Sequence, residues 1–210
     1  MIYLIGGSPR CGKTTVAESL AKRTHTPWCP ADYLGAAIFQ YLTDEQQDQM
    51  FPISKIRSEK PGMDYLYNKH TPQEVAGFYR TQAESLWPGF RAFIKYAAMD
   101  KQIFILEGYQ LWPDLLSELP EETQKFIKPI FLYKKDLQQI EEGFKKSTTP
   151  GDWLLERTED EATFGKVAQM VAYYGDWTIR EAHKHNMPVF NMDGDFEDNI
   201  KKVVDVLLAE

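Results

Sequence analysis

The chain has 210 residues, enough for one α/β domain carrying a helical insertion and for a substantial core. Its formal net charge of −7 argues against a broad nucleic-acid or anionic-membrane surface, since both need clustered positive charge, and no stretch approaches the roughly 20 apolar residues of a membrane span. Two cysteines, Cys11 and Cys29, are too few for a secreted disulfide framework; with an N-terminus that lacks a basic leader, they are expected to be reduced thiols of a cytoplasmic protein.

The first apolar run, Ile2 to Ile5, has the length and branched content of a strand buried on both faces of a parallel sheet. It leads into Gly7-Ser8-Pro9-Arg10-Cys11-Gly12-Lys13-Thr14, which fits Gly, four residues, Gly-Lys-Ser/Thr (the Walker A pattern). Thr15 follows, and Val16, Leu20 and Ala21 then line one face of a helix. Chemistry explains the spacing. Glycines let the backbone wrap so that successive N–H groups face phosphate oxygens, and the helix aims its positive end at the same group. Lys13 brings a mobile charge to the β- and γ-phosphates, and the Thr14 hydroxyl is a hard ligand for Mg2+. Residues Gly7 to Thr15 are therefore predicted to bind a nucleoside triphosphate, with ATP and Mg2+ as the expected ligands. Arg10 is placed either on phosphate or in solvent; Cys11 either fills a small space or presents an oxidisable thiol.

Trp28 to Ala31 reads as a short strand, and Pro27 and Pro30 put it at a sheet edge. Asp32 at its end has two readings: a carboxylate that takes the proton of an attacking hydroxyl, or the N-cap of a helix beginning Tyr33-Leu34. Residues 33 to 70 fit no strand. Thr71-Pro72-Gln73-Glu74 is a capping box with proline at the first helical position. It predicts a helix running to Met99, kinked near Trp87-Pro88. Ile103 to Leu106 is the next strand. Glu107 follows it where open α/β sheets place ligands, and is expected to share the metal with Thr14; Gly108 allows close approach.

Ile130 to Tyr133 is a further strand, and Asp136 is expected to cap a helix with the stripe Leu137, Ile140 and Phe144. Residues 145 to 162 read as a mobile lid with Lys145, Lys146 and Arg157 as basic members. Arg157 is the expected catalytic arginine, because a guanidinium can bind transferring phosphoryl oxygens bidentately. Pairing of Arg157 with Glu156, Glu159 or Asp160 is the competing reading. A helix with Phe164, Val167, Val171 and Tyr174, a strand Pro188 to Phe190, and a helix started by Asp195 with Ile200, Val203, Val204, Leu207 and Leu208 complete the chain. Strands alternating with helices imply βαβ units and a parallel sheet.

The phosphate loop and Ile105-Leu106-Glu107-Gly108 together resemble the P-loop small-molecule kinases, a group related to nucleoside and nucleotide monophosphate kinases. Within it the two motifs are similar to the 2-phosphoglycerate kinase-like and zeta-toxin-like branches. The resemblance implies a three-layer α/β fold, with a five-stranded parallel sheet of order 2-3-1-4-5 in a single domain over 1–210. It also implies a helical substrate-binding region over 33–99 and a lid over 145–162. The activity it implies is ATP- and Mg2+-dependent transfer of the γ-phosphate to a small-molecule hydroxyl, with Lys13, Asp32 and Arg157 catalytic. The protein would act as a monomer or homodimer, without nucleic-acid or membrane partners. A nucleoside monophosphate kinase and a regulatory NTPase or switch are the alternatives. Where adenylate kinases carry Asp-Gly-Phe-Pro-Arg, this chain reads Glu107-Gly108-Tyr109-Gln110-Leu111, without the arginine. The Asp-x-x-Gly of GTP switches is absent after the third strand, and Tyr133-Lys134-Lys135-Asp136 lacks the Asn of Asn-Lys-x-Asp. Arg57, Arg80 and Arg91 are either cations for an acceptor's phosphate or sulfate or solvated surface charges.

Overall fold

In the computed structural model, which describes residues 1–147 and 152–209, the run Ile2 to Ile5 lies inside β1 (Ile2–Gly7), the middle strand of the sheet. The other strands are β2 (Trp28–Pro30), β3 (Phe104–Glu107), β4 (Ile127–Tyr133) and β5 (Val189–Asn191). They are parallel, in the order β2-β3-β1-β4-β5, as the resemblance implies, and proline-flanked β2 is at the edge. The register sets Ile5 opposite Glu107 and Gly7 opposite Leu132. β3 starts one residue later than the apolar run, because Ile103 is 57% exposed, so Glu107 is the last residue of the strand itself.

α1 (Lys13–Thr24) joins β1 to β2. Between β2 and β3 come α2 (Ala31–Phe39), α3 (Asp44–Met50), α4 (Pro52–Glu59), α5 (Asp64–Lys69) and α6 (Pro72–Met99). Residues 33 to 70, which fit no strand, are thus mostly short helices. α7 (Pro113–Ser117) and α8 (Glu121–Gln124) precede β4; α9 (Leu137–Lys145), α10 (Trp153–Glu156) and α11 (Ala162–Lys184) precede β5; and α12 (Phe196–Leu208) is last.

Successive strand residues point to opposite faces, and the core divides accordingly. Ile5, Ile105 and Ile130 pack with Val16 and Leu20 of α1 and Val203 and Leu207 of α12. Leu4, Leu106 and Phe131 pack on the other side, with α6 and α11. The capping box of α6 forms as expected: Thr71 Oγ1 accepts from Glu74 N, and Glu74 accepts from Thr71 N at 2.8 Å. The helix continues unbroken through Pro88, where buried Leu86, Trp87 and Phe90 anchor it. Asp136 and Asp195 cap α9 and α12 as expected. Leu137 does not join the buried stripe of α9; it is the helix's first residue and 45% exposed, leaving Ile140 and Phe144. Among the described residues, no helix is long and apolar enough to cross a membrane.

Candidate active site

The loop between β1 and α1 is shaped by its neighbours. Gly7 has φ +114, and a Cβ there would lie 1.9 Å from the Leu132 carbonyl oxygen, so no other residue fits. Arg10 and Gly12 are also left-handed, at φ 64 and 93. Gly12 is the N-cap of α1 and supplies no side-chain cap. The first bond of α1 runs from Val16 N to Gly12 O (3.0 Å), which leaves the amides of Lys13, Thr14 and Thr15 without a partner among the described residues. Unpaired amides at a helix N-terminus are a ready anion site.

The Lys13 ammonium is nearly buried, at 7% exposure, and donates to the Ser8 carbonyl at 2.5 Å. Cys11 is fully buried, its thiol donating to Ser8 O (2.8 Å) and Leu132 O (3.3 Å), and burial pushes its pKa up. It is therefore a space-filling thiol and not a reactive thiolate. Both cysteines are unbridged. Arg10 is not a free solvated cation: its Nη2 donates to Asp152 Oδ2 at 2.6 Å, and its guanidinium lies over the Phe144 ring. Asp152 in turn accepts from Ser147 and from the amides of Leu154 and Leu155 as the N-cap of α10.

Glu107 reaches the loop from the adjacent strand. Thr14 Oγ1 donates to Glu107 Oε1 at 3.0 Å, so the two hard oxygen donors expected around Mg2+ are in contact. Burial raises the Glu107 pKa, opposed by Lys13 and Thr14, while the nearby Asp32 charge raises it further. Thr14 and Glu107 thus fit a magnesium ion.

Asp32 is not an N-cap. α2 begins one residue earlier, at Ala31, with Pro30 in the cap position, and Asp32 lies exposed in its first turn. Gln110 Nε2 donates to Asp32 Oδ1 at 2.6 Å and fixes the carboxylate. The backbone before Gln110 is itself held, as Tyr174 of α11 donates its hydroxyl to Tyr109 O at 2.6 Å. Gly108 makes room for this arrangement: a Cβ there would meet Gln110 Oε1 at 2.4 Å and the Ala31 methyl at 2.6 Å. Gly108→Ala is expected to displace Gln110 from Asp32, costing about 1–3 kcal/mol of stability and roughly tenfold or more in turnover. Thermal unfolding and steady-state rates on one preparation check both.

Asp32 also forms part of the wall of a cavity of about 280 Å³ between α2, α4 and α6. Lys13, Thr14, Glu107 and Asp32 are therefore gathered at the ends of β1, β2 and β3. Arg157 is not joined to them. Its carbonyl accepts from Met63 N (2.8 Å), while its side chain is exposed, with no ion pair to Glu156, Glu159 or Asp160 among the described residues. Of the expected lid, residues 148–151 lie outside the described residues. Arg80 is committed elsewhere, bidentate to Asp114 (2.8 and 2.6 Å) and stacked over Trp112; Arg91 is exposed. Sequence reasoning missed Gln110 and Asp152, whose partners lie far away in the chain.

Three solved structures are similar over nearly the whole chain. A gluconokinase from Sinorhizobium meliloti 1021 has a TM-score of 0.52 at 13% identity, over 98% of this chain and 90% of that one. A shikimate kinase from Bacteroides thetaiotaomicron has a TM-score of 0.48 at 13% identity, over 100% and 99%. A sugar kinase from Janibacter sp. HTCC2649 has 0.47 at 14% identity, over 100% and 98%. The first of these supports the fold assignment, a five-stranded parallel sheet of order β2-β3-β1-β4-β5 flanked by helices. No family model matches the chain, and no curated protein matches it.

Proposed function

We propose that this chain is an ATP- and Mg2+-dependent phosphotransferase that moves the γ-phosphate to a hydroxyl of a small molecule. The observation that carries the reading is a cavity with the Asp32 carboxylate in its wall, the same carboxylate whose charge acts on Glu107, the partner of Thr14. A nucleotide switch has no acceptor to house, and so needs neither the cavity nor a fixed carboxylate facing it.

In the proposed reaction, ATP lies along Gly7 to Thr15, with its β- and γ-phosphates on the free amides of α1 and on Lys13. Asp32 takes the proton of the acceptor hydroxyl. The acceptor oxygen attacks the γ-phosphorus, the bond to the bridging oxygen breaks, and ADP leaves with the electron pair. Thr14 and Glu107 would hold Mg2+, which neutralises charge on the phosphate oxygens when bound. Arg157, exposed and unpaired in the described structure, is assigned to the developing charge on the equatorial oxygens. Residues 1–210 act as one domain, with 33–99 shaping the acceptor site and 145–162 the lid. The protein works in the cytoplasm as a monomer or homodimer, a placement supported by its two free cysteines.

ADP release with ATP, Mg2+ and a panel of hydroxyl-bearing small molecules tests the reading. Acceptor-stimulated ADP release that EDTA abolishes is expected, and Glu107→Gln should cut it by roughly 10²-fold, as for the loss of one charge-stabilising group. ADP release indifferent to every acceptor would favour the regulatory NTPase.

A further inference from the structure

The lining of the cavity carries information about the acceptor. Its polar wall consists of Asp32, Gln40, Ser54, Gln82 and Gln110. Phe39 and Phe51 form its apolar side, with their rings edge to face at 4.9 Å. Among these lining residues there is no lysine, arginine or histidine.

Cations on the neighbouring elements do not supply one. Arg10 of the phosphate loop is held by Asp152 at 2.6 Å. On α6, Arg80 is bound by Asp114 (2.6 Å) and Glu84 (2.7 Å), and Arg91 is exposed. On α4, Lys55 pairs with Asp48 at 3.0 Å, and neither it nor Arg57 lines the cavity. Among the described residues, the only formal charge in the wall is the Asp32 carboxylate.

An anionic acceptor would therefore shed water beside a like charge, with no fixed positive partner to offset the cost. Three side-chain amides suit a different ligand. Each amide offers both donors and an acceptor, and an alcohol hydroxyl is likewise both donor and acceptor. Two aromatic rings in the same wall suit the C–H groups of a ring. The volume, about 280 Å³, lies just under the ~300–1,000 Å³ typical of drug-sized pockets.

We infer that the acceptor is an uncharged polyhydroxylated molecule of monosaccharide size, bearing neither carboxylate nor phosphate. The inference rests on the phosphotransferase reading, which it narrows: it separates this chain from a nucleoside monophosphate kinase.

The test is the ADP-release assay run with three matched classes: neutral sugars and polyols, their carboxylated counterparts, and sugar or nucleoside monophosphates, with mass spectrometry of the phosphorylated product. Neutral acceptors are expected to exceed their charged counterparts in kcat/KM by at least about 10²-fold, since like-charge juxtaposition costs several kcal/mol. Higher kcat/KM for carboxylated or phosphorylated acceptors would overturn the inference and leave the phosphotransferase reading standing. ADP release that no class raises above background hydrolysis would overturn the reading itself, and the inference with it. Gln82→Arg, or Gln40→Lys if the first variant does not fold, puts a cation in the wall. Either should narrow the preference for a neutral acceptor over its carboxylated counterpart by about tenfold. An unchanged preference in a folded variant would show that this cavity does not hold the acceptor.

Discussion

Lys13→Ala should lower ATP turnover by roughly 10²–10³-fold and weaken ATP binding, in a protein that still folds. Among the described residues the ammonium makes no ion pair, though its charge eases the burial of Glu107, and it donates to the Ser8 carbonyl. That carbonyl also accepts from the Cys11 thiol, so truncating Lys13 does not orphan it. The structural cost is therefore small, and what is lost is the charge meant for phosphate. Calorimetric ATP titration, turnover and thermal unfolding on the same variant separate the two contributions. Unchanged ATP affinity and rate in folded Lys13→Ala would remove the phosphate-loop assignment.

Asp32→Asn should leave ATP affinity and thermal stability near the parent values and reduce transfer to the acceptor by roughly 10²–10⁴-fold. Asparagine retains an oxygen to accept from Gln110, so the local geometry survives. It loses the ability to take a proton. Helix capping cannot account for an effect here, since Pro30 and not Asp32 occupies the cap position of α2. Unimpaired transfer in this variant would show that the carboxylate is not the base and that the hydroxyl loses its proton elsewhere.

The legible parts of the site were those written contiguously. The phosphate loop lies within nine residues between a strand and a helix, and Glu107 announces itself as the carboxylate ending an apolar run. The position of Asp32 was readable but its role was not, because α2 starts on Ala31 after a proline cap and not after a Ser, Thr or Asp signal. α3, α4 and α5, over residues 44–69, are too short to show a helical stripe; the Thr43–Gln46 capping box of α3 and Pro52 at the start of α4 are local marks there. Arg10–Asp152, Gln110–Asp32 and Arg80–Asp114 join distant parts of the chain, and no local pattern encodes such pairs. Arginines left open as phosphate ligands by sequence could thus be sorted only once their partners were known.

The register of β1 has a consequence for how the protein is made. Its two neighbours, β3 and β4, come from far down the chain, and Gly7 sits against the backbone of Leu132. A nascent chain ending before Glu107 holds every residue of the phosphate loop and none of the walls that shape it. Pairings this non-local form slowly, after the entropy of closing long loops has been met. A nucleotide that needs those walls has little to grip before they are in place. A ligand that binds only the finished domain raises its stability by mass action.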